Sequence, residues 1–318
     1  MIATAPGKLI ITGEYAVLDG APAIVVAVDR RATARRTPTP PGSSPFLLAV
    51  ADEIAARRGA AAPEARAALE ISVDSTAFYD GMTKLGLGSS AAVTVAATAL
   101  ALGTDDREEV LAVALAAHGR AQGPRGARGS GTDVAAAVYG GTIVFTRPAG
   151  SDDCRVEQRR WPASVVIVPF FTGAPADTVQ LVGRVNAARQ ANPARVDAAL
   201  TAIADASRAA CTALSAPADI AAVGLIGAIA LAANAVDRLA IATGVDLVPD
   251  CVTQIRAALA RLGGTAKTTG AGGGDVAIAV IPAHADATAV TRVLIEAGCQ
   301  PLRIARDDTG VDLRTGAS

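Results

Sequence analysis

Lys84 to Ala92 reads KLGLGSSAA and runs without a spacer into small and apolar residues as far as Leu102. This join constrains the fold more than any other stretch, because a Gly-Leu-Gly turn must open directly onto a helix over about Ser89–Leu102. Gly86 and Gly88 bring no side chains, so a ligand can approach the backbone there, with Leu87 between them. Ser89 or Ser90 can cap the helix. The N–H groups of the first turn, Ala91 included, then face the turn together with the positive end of the helix dipole, which suits an anion such as a triphosphate. The lysine precedes the glycines, so the pattern is not a Walker A loop. A serine hydroxyl in this place can also bind Mg²⁺. The plainer alternative is an ordinary Ser-capped helix after a glycine turn.

Three further segments carry polar residues in unusual company. Ala5 to Gly20, APGKLIITGEYAVLDG, places Lys8 between a turn and a strand, with Glu14 and Tyr15 shortly after. Gly129 to Gly141, GSGTDVAAAVYGG, starts a small, apolar stretch with Asp133. That carboxylate is either a helix cap or a site group, and as a base it needs a nearby cation, for which Lys8 is the candidate. Lys267 to Val280, KTTGAGGGDVAIAV, holds four glycines in five residues (Gly270, Gly272, Gly273, Gly274). Their cost in chain entropy makes sense where backbone passes close to a ligand or to another strand. A dinucleotide-binding fold does not fit them, since this loop comes late and joins two strands rather than opening a helix.

The rest of the chain reads as mixed strands and helices. Strands are expected at Leu9–Thr12, Ala23–Val28, 67–74, Gly141–Phe145 and Val165–Val168, then at Thr265–Thr268 and Val276–Val280 around the glycine loop, with a last one near 301–305. Helices are expected at 44–58, 89–102, 106–121, through most of 176–262 with breaks near Pro193, Pro217 and Pro249, and at 284–297. Strands followed by helices in each half predict an α+β, two-lobed fold with a cleft between the halves. The predicted lobes are residues 1–155 and 156–318, divided in the Pro, Gly, Asp and Arg-containing stretch 147–160.

Composition narrows the function class. With 51% hydrophobic and 19% charged residues and a net charge of -1, the chain reads as a soluble globule without the basic balance of a general nucleic-acid binder. An anion must therefore be met by a few placed cations. Only three of the 29 basic residues are lysine (Lys8, Lys84 and Lys267), and each lies in or beside a glycine-containing segment. This suggests places where a compact ammonium is wanted instead of a planar guanidinium. The four cysteines (Cys154, Cys211, Cys251, Cys299) form no CxxC pair and read as inert thiols of a reducing, cytoplasmic setting. No signal peptide is read at the N-terminus. The uncharged run between Asp219 and Asp237 reads as a buried core helix rather than a membrane span.

Taken in order, APGK, GLGSSAA, GSGTD and GAGGG resemble the GHMP kinases, the family of galactokinase, homoserine kinase, mevalonate kinase and phosphomevalonate kinase. The resemblance spans Ala5 to about Pro301. Within the family, AHGRAQG followed by GSGTDVAAAVYGG, Asp275 after the last glycines, Lys84 ahead of the phosphate loop and TGAPADTVQLV (Thr172–Val182) are similar to the phosphomevalonate kinase branch. The resemblance implies ATP and Mg²⁺, transfer to phosphomevalonate giving diphosphomevalonate in the isoprenoid-forming mevalonate route, and a monomer or homodimer.

Residue by residue, it implies Lys8 and Asp133 as the catalytic pair, and Lys84, Gly86, Leu87, Gly88, Ser89, Ser90 and Ala91 around the nucleotide. It further implies Tyr15, Ser130, Gly131, Thr178, Gly272 and Gly273 around the acceptor. Ser90 and Gln122 fall at the metal positions, and a neutral amide at Gln122 leaves Mg²⁺ more dependent on Ser90 and on ATP itself. Lys84, Arg125 and Arg128 are available for an acceptor phosphate. Asp177 stands where a serine is expected, an anion beside a phosphorylated substrate unless it faces away or pairs. The alternatives are mevalonate or another primary alcohol as acceptor, a decarboxylase of the same superfamily, and a non-catalytic metabolite binder on the same scaffold.

Overall fold

In the computed structural model, residues 1–37, 44–123 and 129–315 are described, and Arg125 and Arg128 lie outside that set. The first half is organised around strand β1, Ile2–Thr12, and the long strand β2, Ala23–Arg36, which pair antiparallel. Register shifts at Pro6/Gly7 and Ile10/Thr12 interrupt the ladder. The first falls immediately before Lys8, where proline lacks a donor and glycine gives freedom to bend.

β3 (Ile71–Asp74) pairs with the far end of β2, β6 (Thr142–Thr146) with its start, and β7 (Arg155–Arg159) extends the sheet beyond β6. β12 (Asp312–Arg314), from the other end of the chain, pairs with β1 and completes six strands. A second sheet has the order β11-β8-β10-β9, from β8 (Val165–Phe171), β9 (Thr265–Thr268), β10 (Val276–Pro282) and β11 (Gln300–Pro301). A two-stranded ribbon joins β4 (Tyr79–Asp80) to β5 (Thr83–Lys84) just ahead of the Gly86 turn.

Helices α1 (Pro45–Arg58), α2 (Pro63–Leu69), α3 (Ser89–Leu102), α4 (Arg107–Gln122) and α5 (Thr132–Tyr139) cover the first sheet, α3 lying directly on β1 and β2. α6 (Thr178–Ala191), α7 (Pro193–Leu214) and α8 (Ala218–Thr243) stack beside one another in the second half. There α9 (Asp250–Ala260) and α10 (Ala287–Glu296) pack on the second sheet. The main core runs through β1, β2, α3 and α5, where Ala91, Ala92, Ala96 and Ala97 are fully covered and let helix and sheet approach closely.

Helix starts are of three kinds, and α1, α2, α8 and α9 simply follow a residue in extended backbone with no side-chain cap. α4, α6, α7 and α10 each begin after an Asp or Asn (Asp106, Asp177, Asn192, Asp286) whose side chain accepts a first-turn N–H. α3 and α5 begin at left-handed glycines, Gly88 (φ 80°) and Gly131 (φ 88°), with no side-chain cap. The sequence expectation of Ser89 or Ser90 as cap is thus corrected: glycine occupies the cap position, at a cost of only about a few tenths of a kcal/mol relative to a serine cap.

Other differences have local causes. The stretch 67–74 splits into the end of α2 and the short β3, because Pro63 starts a helix that ends at Glu70. β7 is built from Arg, Glu and Gln with Val156 alone turned inward, an edge pattern that reads as loop in sequence, and it carries the first sheet to Arg159. The strand expected at 301–305 is only the two-residue β11, and β12 lies further on. α8 is the one described helix long and apolar enough for a bilayer; half of that stretch is buried, while Val223, Leu231 and Ile241 are exposed. It is a layer helix with one covered face instead of a fully buried core helix.

Candidate active site

Both halves contribute to a cleft of about 510 Å³. Its lining includes Lys8, Glu14, Tyr15, Lys84, Gly86, Gly88, Ser89, Ser90, Gln122, Ser130, Asp133, Thr178, Gly272 and Asp275. Of the residues expected here, Leu87, Ala91, Gly131 and Gly273 are not in the lining. Leu87 and Ala91 turn into the core, and a Cβ on Gly131 would lie 2.6 Å from Leu115. Gly273 packs against Leu181 and Asp246.

The glycine turn is stitched to β1. The Lys8 N–H donates to the Leu87 carbonyl at 2.9 Å, and a Cβ on Gly7 would lie 2.7 Å from that same oxygen, so only glycine lets the strand and loop come so close. The Lys8 side chain then runs along the loop. Its Nζ donates to the Gly86 carbonyl at 3.3 Å, and a Cβ on Gly88 would sit 3.2 Å from Lys8 Cγ and Cε and 3.6 Å from the Asp133 Cβ. Gly88 therefore separates the two expected catalytic residues. Asp133 lies in the first turn of α5, where its Oδ1 accepts the Val134 N–H at 3.0 Å, and the helix cap is Gly131. Burial lowers the Lys8 pKa, while the carboxylates of Asp133, Asp275 and Glu14 oppose that shift.

Ser90 is held from behind. Its hydroxyl lies 3.1 Å from His118 Nε2, which in turn lies 3.1 Å from the Gln122 amide nitrogen one turn further along α4. His118 is buried and stacks on Phe46 with ring centroids 5.5 Å apart. When the histidine proton is on Nδ1, Nε2 accepts from Ser90 and leaves the Oγ lone pairs free for a cation. His118 was not singled out in sequence, although His118 and Gln122 sit at one-turn helical spacing and the histidine belongs to the quoted AHGRAQG run. The oxygens of Ser90 and Gln122 suit Mg²⁺ by hardness but supply no charge. Among the described residues no group of three His, Cys, Asp or Glu side chains is placed to hold a metal, so such an ion would depend on ligand oxygens.

The second half closes the cleft with the loop between β9 and β10. Tyr15, at the unusual φ of 61°, donates its hydroxyl to the Ala271 carbonyl at 2.7 Å. Beside it Glu14 forms a buried ion pair with Lys267 on β9, whose Nζ also donates to Thr268 O at 2.7 Å. Burial raises the Glu14 pKa and lowers that of Lys267, each opposed by the partner's charge. Lys267 is thus a cross-half tie and not a cleft ammonium; Lys84 is the exposed one, at the end of β5. The glycines after Thr269 serve the protein's own packing. A Cβ on Gly272 would lie 2.3 Å from Leu247 O, and one on Gly274 2.6 Å from Ala174 O, whereas Gly270 faces open space.

Asp177, whose role the sequence left open, lies at the cleft edge and spends its Oδ1 on the Val179 and Gln180 N–H groups at 3.0 and 3.1 Å. Its charge is absorbed by the α6 N-terminus. Cys251 and Cys299, distant in sequence, lie side by side, and burial followed by this neighbour pushes the Cys299 thiol up to about 12.

The GHMP kinases N terminal domain family matches residues 46–141. A phosphomevalonate kinase from Streptomyces sp. (strain CL190) is 31% identical over 371 residues, covering 94% of this chain and 95% of its own. Among solved structures, Streptococcus pneumoniae phosphomevalonate kinase in complex with phosphomevalonate and AMPPNP superposes with a TM-score of 0.75 at 19% identity, over 96% of this chain and 99% of that one. The L. major mevalonate kinase in complex with R-mevalonate follows the same path with a TM-score of 0.68 at 20% identity, over 96% of each chain.

Proposed function

The chain belongs to the GHMP kinase family, and from that premise we propose that it transfers the γ-phosphoryl group of ATP to phosphomevalonate, forming diphosphomevalonate. The observation that carries the phosphotransferase reading is a pair of helix starts that converge on one cleft. α3 and α5 both begin at left-handed glycines, and residues of both first turns line one cleft beside a buried ammonium. The open first-turn N–H groups of α3, with two helix dipoles beside Lys8, form a receptor for several phosphate oxygens, whereas α5 spends its Thr132 and Val134 N–H groups on Ser130 Oγ and Asp133 Oδ1.

Each residue then has a task that its position supports. The first-turn N–H groups of α3, with Gly86 and Gly88 clearing space, hold the triphosphate. Mg²⁺ would be carried on the phosphate oxygens with Ser90 Oγ as the protein donor, where it neutralises charge. Lys8, threaded between Gly86 and Gly88, lies where charge builds on the transferred group. The acceptor oxygen belongs to a phosphate monoester with a pKa of about 6, mostly deprotonated at neutral pH, so it hardly needs a base. Asp133 accordingly acts by orienting and stabilising Lys8. Lys84, exposed at the cleft edge, is the described cation available to the acceptor's own phosphate.

The divided construction, a lobe of residues 1–155 facing one of 156–318 across the cleft, is the proposed arrangement, with β7 and β12 crossing that division to join the first sheet. The four cysteines are free thiols, which supports a cytoplasmic setting. The test is an ATP-consumption screen against phosphomevalonate, mevalonate, diphosphomevalonate, homoserine and galactose. The expected result is a kcat/KM at least about tenfold higher for phosphomevalonate than for mevalonate, which asks about 1.4 kcal/mol of differential binding. Equal rates, or a preference for mevalonate, would remove the acceptor assignment and make Asp133 a proton acceptor.

A further inference from the structure

Asp275 and Tyr15 are the two described non-glycine residues with positive φ, and Asp275 (φ 54°) follows three consecutive glycines. A fourth glycine would adopt this backbone freely, so an aspartate there keeps its side chain at a conformational cost. Its surroundings hold it on every side. The Asp275 N–H donates to Ala174 O at 2.7 Å, its carbonyl accepts from the Thr172 N–H at 3.0 Å, and its Oδ1 accepts from the Ala176 N–H at 3.1 Å.

The other carboxylate oxygen reaches across the cleft to the phosphate loop. A Cβ on Gly86 would lie 2.5 Å from Asp275 Oδ2, so the carboxylate fills the place a side chain at Gly86 would take. Gly86 is also the residue whose carbonyl accepts from Lys8 Nζ. The second half of the chain therefore braces the loop on one face while Lys8 holds it on the other.

We propose that Asp275 is a positioning residue of the transfer step, a carboxylate that clamps Gly86 and stabilises the Lys8 ammonium from the opposite half of the chain. The inference rests on Lys8 being the charge that meets the transferred group, as argued above. The charged groups facing Lys8 are Asp133 on α5, Asp275 at the start of β10, Glu14 beyond β1, and Lys84 on β5, which works in the opposite sense. Glu14 is already committed to Lys267 and Asp133 bonds its own helix turn. Asp275 spends one oxygen on Ala176 and turns the other to Gly86, whose carbonyl accepts from Lys8 Nζ.

The test is a direct titration of Lys8. The chain has three lysines, so lysine isotope-labelled at Cε yields three resonances, assignable by single Lys→Arg substitutions. Asp275→Asn keeps the shape, tolerates left-handed backbone and retains an acceptor for the Ala176 N–H; Asp275→Gly relieves the backbone and removes the side chain. In both, the Lys8 resonance is expected to titrate about one pH unit lower than in the unsubstituted protein, with Lys267 unmoved. The basic limb of kcat, measured with whichever acceptor the enzyme turns over, shifts by the same amount. At a given pH above that limb the variant's kcat lies about tenfold further below its own neutral-pH value than that of the unsubstituted protein does. A Lys8 titration that overlays the unsubstituted curve in a folded Asp275→Asn protein overturns the proposal and leaves Asp275 as a turn-former. The NMR arm needs no substrate, so a wrong acceptor assignment cannot be mistaken for this result.

Discussion

Two glycine-rich loops face each other across the cleft, and they use glycine for opposite ends. In the loop at 86–88 the space beside the Cα atoms is filled by groups with chemistry: the Asp275 carboxylate at Gly86, and the Lys8 stem with the Asp133 Cβ at Gly88. In the loop at 270–274 it is filled by structure: the Leu247 carbonyl at Gly272, the Leu181 side chain at Gly273, the Ala174 carbonyl at Gly274. Glycine density alone therefore does not mark a ligand surface. The first loop is a mount for charged side chains, the second a turn of close-packed backbone that delivers Asp275 to it.

The contrast is sharpest at Lys8, where damage should be kinetic. Lys8→Met is expected to lower kcat about a thousandfold, about 4 kcal/mol of barrier, with circular dichroism unchanged. Asp133→Asn should lower it less, because it orients a charge and does not supply one. A Lys8→Met enzyme with near-normal kcat would erase the distinction between the loops. At Gly272 damage should instead be structural. An alanine there meets a carbonyl oxygen at 2.3 Å with φ at 75°, so we expect a loss of about 3 kcal/mol in urea unfolding. Equal stability to the parent would show that the second loop is not close-packed.

How far this arrangement of residues around the cleft could be read beforehand depended on whether the signal was local. The Gly86–Ser90 turn, Lys8 and Asp133 were legible because each lies in a short segment whose composition is odd on its own. The order of strands and helices was legible where apolar runs are bounded by Pro or Gly. The Lys267–Glu14 pair was not, since its partners stand 253 positions apart and no periodicity links them. Nor was the cap of α3: serine is the common choice, and only the left-handed φ of Gly88 shows that the turn, and not a hydroxyl, starts the helix. His118 was hidden for a related reason, because a histidine on an alanine-rich helix gains meaning only from what α3 presents to it.

Ser90 offers a finer measure of the same contrast. Ser90→Ala is expected to lower kcat about tenfold or more with MgATP while costing about 1 kcal/mol or less of stability, since the hydroxyl bonds His118 and does not cap the helix. A lowered melting temperature with normal kcat would leave the hydroxyl as a packing group and shift attention to Ser89. The smallest effect belongs to Gly270→Ala. That position is open, so only its left-handed φ of 65° is penalised, by about 1 kcal/mol in the same unfolding measurement. A loss as large as at Gly272 would mean that the whole second loop, and not its packed glycines, is intolerant.

The pairing of β12 with β1 has a consequence for how the chain assembles. Ile2 lies opposite Arg314 and Thr4 opposite Asp312, and the same returning segment sends Asp307 to Arg31 at 2.5 Å. The strand that carries Lys8 is made well before the segment Asp312–Arg314 that covers its outer edge at Ile2–Thr4. Until then that edge offers unpaired N–H and C=O groups to any passing strand. Closing it requires a loop that runs from Thr4 to Asp312, a long-range pairing that slows folding and leaves the Ile2–Thr4 edge late to become protected from solvent exchange.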